Sequence, residues 1–157
     1  MTAAYGTAHD EAQIRARLDE WVKATRAMDI DEIMAFLTPD VRSFDCHSRF
    51  QLNDAAAYRE HMEACFPCMQ GPMIFEIHDL DVTAQDQVAF CHASVRCGGT
   101  STDGQEHVGW LRVTLCLRKM EGQWMIAHDH FSAPFDPETG KAMLDLTPEP
   151  VEQESVA

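Results

Sequence analysis

Residues 110–136, WLRVTLCLRKMEGQWMIAHDHFSAPFD, restrict the fold more than any other stretch. Two apolar-rich runs flank Met120-Glu121-Gly122-Gln123, a polar break with glycine at a turn position, and together they read as a long β-hairpin. Alternation gives its first strand two faces, one carrying Trp110, Arg112, Thr114 and Cys116, the other Leu111, Val113, Leu115 and Leu117. In the second strand Met125, Ala127, Asp129 and Phe131 oppose Trp124, Ile126, His128, His130 and Ser132. No face is wholly polar, so the sheet is expected to be covered on both sides. One cover encloses Arg112, Thr114 and either Asp129 or the histidines, as the wall of a small-molecule pocket would.

The chain has 157 residues, enough for one domain with a single core. Its formal net charge is -14, from 26 acidic and 12 basic residues. A field of that sign repels phosphate backbones and anionic lipid heads, so neither nucleic acid nor a membrane surface is an expected partner. No run is long enough for a membrane span, and MTAAYGTAHDEAQ lacks the basic start and apolar core of a signal peptide, which points to the cytoplasm. In that reducing compartment the six cysteines are expected to be free and to bind no metal.

Residues 9–27 read as a helix, with Ile14, Leu18, Trp21, Val22 and Thr25 at helical spacing. Asp29 caps a short second helix, DIDEIMAFL, with Glu32 three residues on and Pro39 as its stop. Val41–His47 is a short strand that places Val41, Ser43, Asp45 and His47 on one face. Asn53 or Asp54 starts a third helix, whose apolar stripe is Tyr58, Met62, Cys65 and Phe66. After Gly71-Pro72 come strands Met73–Thr83 and Val88–Cys97, a Gly98–Gly104 loop, and the hairpin, a consecutive antiparallel meander. Residues 137–157 read as an acidic tail rich in proline and glutamate, in which Met143–Leu146 are the segment suited to docking.

This order of elements resembles the nuclear transport factor 2-like, or cystatin-like, fold. AMDIDEIMAFLTPDVRSFD resembles the ketosteroid isomerase and SnoaL-like branches, in which a short acidic helix leads to a strand ending in Asp. GQWMIAHDHFSAPF resembles the G-x-W-x-I-x-H-x-H-x-S-x-P ending of SnoaL-like proteins. The resemblance spans residues 9–136 and implies an α+β domain over 1–136, a cone-shaped curved antiparallel sheet on three N-terminal helices. The superfamily hosts isomerases, cyclases, dehydratases, epoxide hydrolases and binding domains, so the fold alone does not select the chemistry.

By resemblance, Asp45 falls at the general-base position of ketosteroid isomerases. Trp21 and Thr114 fall where those enzymes place an oxyanion-hole tyrosine and a protonated aspartic acid. Asp129 matches an active-site aspartate of the limonene-epoxide-hydrolase branch, with Arg112 as its arginine. The catalytic candidates are therefore Asp45 and Asp129. Trp21, His47, Tyr58, Met62 and Phe66 are substrate-binding candidates from the helical side, and Trp110, Arg112, Thr114 and Phe131 from the sheet. Asp45 can equally cap the following loop or pair with Arg42 or Arg49. Arg112 and Asp129 can form a bidentate pair inside the cavity or a structural ion pair. His128-x-His130 reads as an interface pair rather than a metal pair, unless a bulge turns both into the pocket.

Cys65-Phe66-Pro67-Cys68 closes a helix rather than opening one, unlike a thioredoxin-type redox pair. It has no second CxxC, although Cys46, His47 or Cys91 can approach it through folding, and it reads as structural. There is no P-loop, dinucleotide fingerprint or G-x-S-x-G elbow. The resulting expectation is a pocket enzyme without metal or cofactor. It would act as an isomerase, cyclase or hydrolase on a small apolar carbonyl or cyclic compound, as a homodimer joined through the sheet. The alternative is a non-catalytic ligand-binding or dimerisation module.

Overall fold

Three helices lie against one face of a five-stranded sheet in the order β1-β5-β4-β3-β2. The structure is a computed structural model that describes residues 3–150. Helix α1 (Ala3–Arg26) buries Ile14, Leu18, Trp21 and Val22, the stripe expected from the sequence. Arg17 ties it to the sheet side, donating to the carbonyls of Trp124 at 3.2 Å and Ala35 at 2.9 Å. Arg26 Nε donates to Phe75 O at 2.8 Å. In α2 (Ile30–Met34) the Asp29 side chain accepts the Glu32 amide, and in α3 (Ala55–Cys65) the Asp54 side chain accepts the Ala57 amide. Both are the N-caps that short acidic turns before apolar runs predict.

Strands β2 (Met69–Gln85), β3 (Val88–Ser101), β4 (Glu106–Met120) and β5 (Gln123–Ser132) form the antiparallel meander. Strand β1 (Leu37–Phe44) joins the β5 edge in parallel, which makes the sheet mixed. Pro39 therefore lies inside β1 rather than stopping α2. It is tolerated there because β1 is an edge strand whose register shifts between Leu37 and Arg42. Gly71-Pro72 likewise lies within β2, at a register shift between Gln70 and Ile74, with Gly71 at φ 70°. The β4–β5 turn is tight, with both Glu121 (φ 51°) and Gly122 (φ 80°) left-handed, as a primed hairpin turn requires.

The inner face of β4 is the aliphatic one, Val113, Leu115 and Leu117, all buried. Arg112 and Thr114 face outward and are exposed. Opposite them, β5 carries a bulge: Leu117 pairs with Ile126 and Cys116 with His128, which leaves Ala127 as the extra residue. Trp124 and Ile126 are buried before the bulge, and Asp129 is buried after it. His128 and His130 thereby stay on the outer side, where His128 Nδ1 donates to Arg42 O at 2.6 Å.

After β5 the chain folds back. Phe135 bridges to Ala142, and Trp110 N donates to Leu144 O at 3.0 Å, continuing β4's pairing beyond the end of β5. Among the described residues no helix is long and apolar enough to cross a membrane.

Gly98 is a paired residue of β3 rather than the start of a loop, lying opposite Val108. A Cβ there would sit 1.9 Å from His107 O and 2.8 Å from Val108 Cα, so backbone would have to move. Gly98→Ala should lower stability by at least ~1–3 kcal/mol, the range typical of overpacking. A urea midpoint equal to wild type would refute this account of the β3–β4 approach.

Candidate functional site

Between the helices and the inner sheet face lies a cavity of about 140 Å³. Trp21 and Thr25 of α1, Ile33 of α2, and Tyr58, Met62 and Cys65 of α3 form one side. Phe66, Met69, Met73, Phe75 and Phe131 close the other, and Ser43, Asp45, His47 and Leu52 line the remaining wall. Trp21 packs edge-to-face on Phe75 at 5.4 Å between centroids. Its indole N–H is buried without a hydrogen-bond partner.

Of the residues expected at a site, the structure brings together Trp21, Asp45, His47, Tyr58, Met62, Phe66 and Phe131. It does not bring in Trp110, Arg112 or Thr114. These share the parity of the outer face of β4, five, three and one positions before inward Leu115. Arg112 Nε donates to Ser132 Oγ at 3.2 Å, and Trp110 stacks on His78 at 5.1 Å. Arg112 and Asp129 are therefore on opposite sides of the sheet and form no pair.

Asp45 lies just past β1, in the loop that follows Phe44. Its Oδ2 accepts from His61 Nε2 at 2.6 Å and from His47 Nδ1 at 3.2 Å, and its Oδ1 accepts the Cys46 amide at 2.7 Å. Burial acts to raise its pKa, as expected for a carboxylate in an apolar cone. The hydrogen bonds from His47, His61 and the Cys46 amide outweigh burial and hold it at about 2. The same bond to Asp45, helped by one to Cys46, raises His47. The partners are histidines rather than Arg112, Arg42 or Arg49.

His61, buried on α3, is the residue that pattern reading missed. Its signal was available: Tyr58, His61, Met62 and Cys65 follow helical spacing, so His61 lies on the stripe that faces the core.

Asp129 lies behind the cavity wall, fully buried. Ser43 Oγ donates to its Oδ1, and Tyr58 Oη donates to its Oδ2 at 3.1 Å. Burial dominates here and pushes the Asp129 carboxyl up to about 7, against the lowering effect of Ser43 and Tyr58. Two carboxylates 84 positions apart in the chain thus flank one cavity with opposite tendencies, one held ionised and the other favouring its proton.

A mixed α+β cone around a small apolar cavity with histidine and carboxylate on its wall defines a class of pocket domains, and comparison with known proteins is specific about which. The SnoaL-like domain family matches residues 14–136, and the chain belongs to it. Among solved structures it is similar to an NTF2-like protein of unknown function from Pseudomonas putida KT2440. The two are 38% identical, with 90% of this chain and 99% of that one covered, at a TM-score of 0.83. It shares its fold with a ketosteroid isomerase-like protein from Erwinia carotovora atroseptica SCRI1043, at 22% identity, 77% and 93% coverage and a TM-score of 0.67. It shares it too with the association domain of C. elegans CaMKII, at 11% identity, 81% and 98% coverage and a TM-score of 0.65. No curated protein matches the chain.

A folded-state pKa of about 7 for Asp129, against the ordinary 3.8, has a thermodynamic consequence. Between those values the folded chain keeps a proton that the unfolded chain has released. The stabilisation is complete below the lower value and is lost as pH rises through the upper one, by up to ~4 kcal/mol. Urea midpoints of wild type should therefore fall relative to Asp129→Asn between pH ~4 and ~7 and run parallel above that. Parallel curves throughout would mean that Asp129 is already ionised in the fold at acid pH.

Proposed function

We propose that this chain is an acid–base enzyme of the SnoaL-like family that acts on a neutral, apolar carbonyl or cyclic compound about one ring in size. The size follows from the cavity of about 140 Å³; an apolar cavity of about 150 Å³ holds benzene. The observation that carries the reading is the Trp21 indole N–H, a buried donor without a partner on a side chain that lines that cavity. A substrate carbonyl oxygen would satisfy it, and the bond would strengthen as negative charge builds on that oxygen during enolisation.

The proton would be moved by His47. Asp45 lies against its Nδ1 and raises the imidazole pKa, so His47 stands as the imidazolium and its Nε2–H is the acid that delivers the proton to the substrate oxygen. Asp45 then serves as the anion that orients and charges that acid, because its lone pairs are already engaged by two imidazoles and an amide. Met62, Phe66, Phe75 and Phe131 would exclude water from the reacting carbon. Asp129 would position Tyr58 and Ser43 from behind the wall.

A second copy of the chain is proposed to cover the outer sheet face, where Phe90 is 51% exposed and Val88 59%. That face supports assembly whether or not the cavity is catalytic, so a non-catalytic ligand-binding or dimerisation module is the competing reading. The interface would be two-fold and bury more than ~1,000 Å². Sedimentation at micromolar concentration should show a dimer, and Phe90→Glu should give monomer. A monomeric wild type ends this part of the proposal.

Screening small neutral ring ketones and aldehydes by thermal shift should identify compounds that raise the melting temperature by mass action. Trp21→Phe should weaken their binding roughly tenfold, the worth of one hydrogen bond. Asp45→Asn and His47→Ala should lower turnover by ~10²–10⁴ while binding survives. Tight binding without turnover of any bound compound would favour the module, and full turnover by Asp45→Asn would dismiss the assigned roles.

A further inference from the structure

Three ligand atoms converge beside the cavity wall. His61 and Cys65 stand one turn apart on α3, and His47 reaches them from the loop after β1. Cys65 Sγ is 3.8 Å from His47 Nε2 and 3.8 Å from His61 Nδ1. It is equally 3.8 Å from His61 Nε2, but that nitrogen is engaged by Asp45. All three ligand atoms of the set lie within 4.8 Å of one another.

We infer that His47 Nε2, His61 Nδ1 and Cys65 Sγ form a binding site for a zinc-class divalent cation, with a fourth position open toward the cavity. The distances fit. Zinc bonds of 2.3 Å to sulfur and 2.0–2.1 Å to nitrogen at a tetrahedral angle separate the two ligand atoms by roughly 3.6 Å. Each sulfur–nitrogen distance needs to close by only a few tenths of an ångström, and the His61 ring, whose two nitrogens are equally far from the sulfur, needs to turn to present Nδ1. Two imidazoles and one thiolate are a borderline-soft donor set, which selects zinc over magnesium or calcium.

The support behind the ligands is already built. His47 Nδ1 and His61 Nε2 both face the same oxygen of Asp45, so one carboxylate leaves the other nitrogen of each ring free for an ion. Outer carboxylates of this kind fix ring orientation and raise ligand basicity at zinc centres. The net charge of -14 favours a cation over an anion anywhere on this chain. Binding would release two protons to solvent, one from the Cys65 thiol and one from His47 Nε2, and so leave both imidazoles neutral. Cys68 Sγ turns instead to Ala64 O at 3.9 Å and stands outside the set.

This departs from the expectation that no cysteine binds metal. The CxxC lacks a second pair, but folding brings His47 and His61 to its first cysteine. Cys65 and His47 also line the cavity, so the open position adjoins the proposed reacting end. The inference rests on the proposed function only for what that position would do. Occupancy would engage His47 Nε2, so loaded and metal-free protein should differ in turnover.

The full chain, stripped with a chelator and titrated with zinc alone, should bind one equivalent by calorimetry and elemental analysis. Cobalt in its place should give a thiolate-to-metal absorption band. Cys65→Ser and His47→Ala, both at partly open positions, should abolish binding and the band while keeping the wild-type circular dichroism. Asp45→Asn should weaken binding by ~10–100-fold, the usual loss when such a supporting carboxylate is removed. Cys116→Ser, on the outer side of β4 away from the site, should leave it unchanged. No stoichiometric zinc in wild type, or an undiminished band in Cys65→Ser, overturns the site. Loss with Cys68→Ser equal to that with Cys65→Ser overturns its open position. Protein that binds ring ketones but no zinc fails this inference alone, and protein that binds zinc but no carbonyl compound fails the proposed function alone.

Discussion

The single extra residue at Ala127 decides what the sheet can enclose. Strand alternation is strict, so a regular β5 with Trp124 and Ile126 in the core would have carried His128 and His130 inward and Asp129 out. The bulge resets the parity between Ile126 and His128. Both core anchors and Asp129 then lie on the same face, where Asp129 pairs across from Leu115. Without that reset, Tyr58 and Ser43 would lose their common acceptor, and two imidazoles would replace one carboxyl beneath the helices. A local irregularity in the hydrogen-bond ladder thus determines the polarity of the cavity's far wall.

That wall works because its two carboxyls have been separated in character. Asp45 receives three hydrogen bonds, two of them from imidazoles, and remains an anion despite burial. Asp129 receives two from hydroxyls, which stabilise negative charge less, and burial prevails. Their repulsion reinforces the difference, since the ionised Asp45 further disfavours charge on Asp129. One cavity therefore carries a fixed anion on its wall and a near-neutral acid behind that wall. In between, Tyr58 lines the cavity with its ring and turns its hydroxyl away to Asp129.

Local signals in the chain were legible wherever the deciding physics was local. The caps at Asp29 and Asp54, the α1 stripe and the Glu121-Gly122 turn each depend on a few neighbouring residues. Features set by a distant partner were not. Pro39 looks like a helix stop until β1 is known to be an edge, and Gly98 looks like a loop until His107 is known to lie against it. The inward assignment of Arg112 and Thr114 failed for a different reason. It followed polar groups that a pocket would need, whereas the opposite face of β4 holds four aliphatic residues, whose burial gains more free energy. Resemblance, which placed Trp21, Asp45 and Phe131 around one cavity, also supplied Thr114 and Arg112, which the sheet turns outward. It carried no information about His61, which becomes visible only when α3 and the β1 loop are seen together.

The outward position of Arg112 also narrows what the cavity can receive. Among the described residues that line it there is no lysine or arginine, and its nearest fixed charge is the Asp45 carboxylate. A substrate with a carboxylate or phosphate would approach a chain of net charge -14 and find no guanidinium in the cavity, where the one raised imidazole, His47, is already paired with Asp45. A cationic substrate would find Asp45 already engaged by two histidines. An uncharged molecule with one hydrogen-bond acceptor fits both constraints. Its apolar body can replace cavity lined by methionine and aromatic side chains, and its oxygen can take the one donor, Trp21 N–H, that the fold leaves without a partner on a side chain lining the cavity.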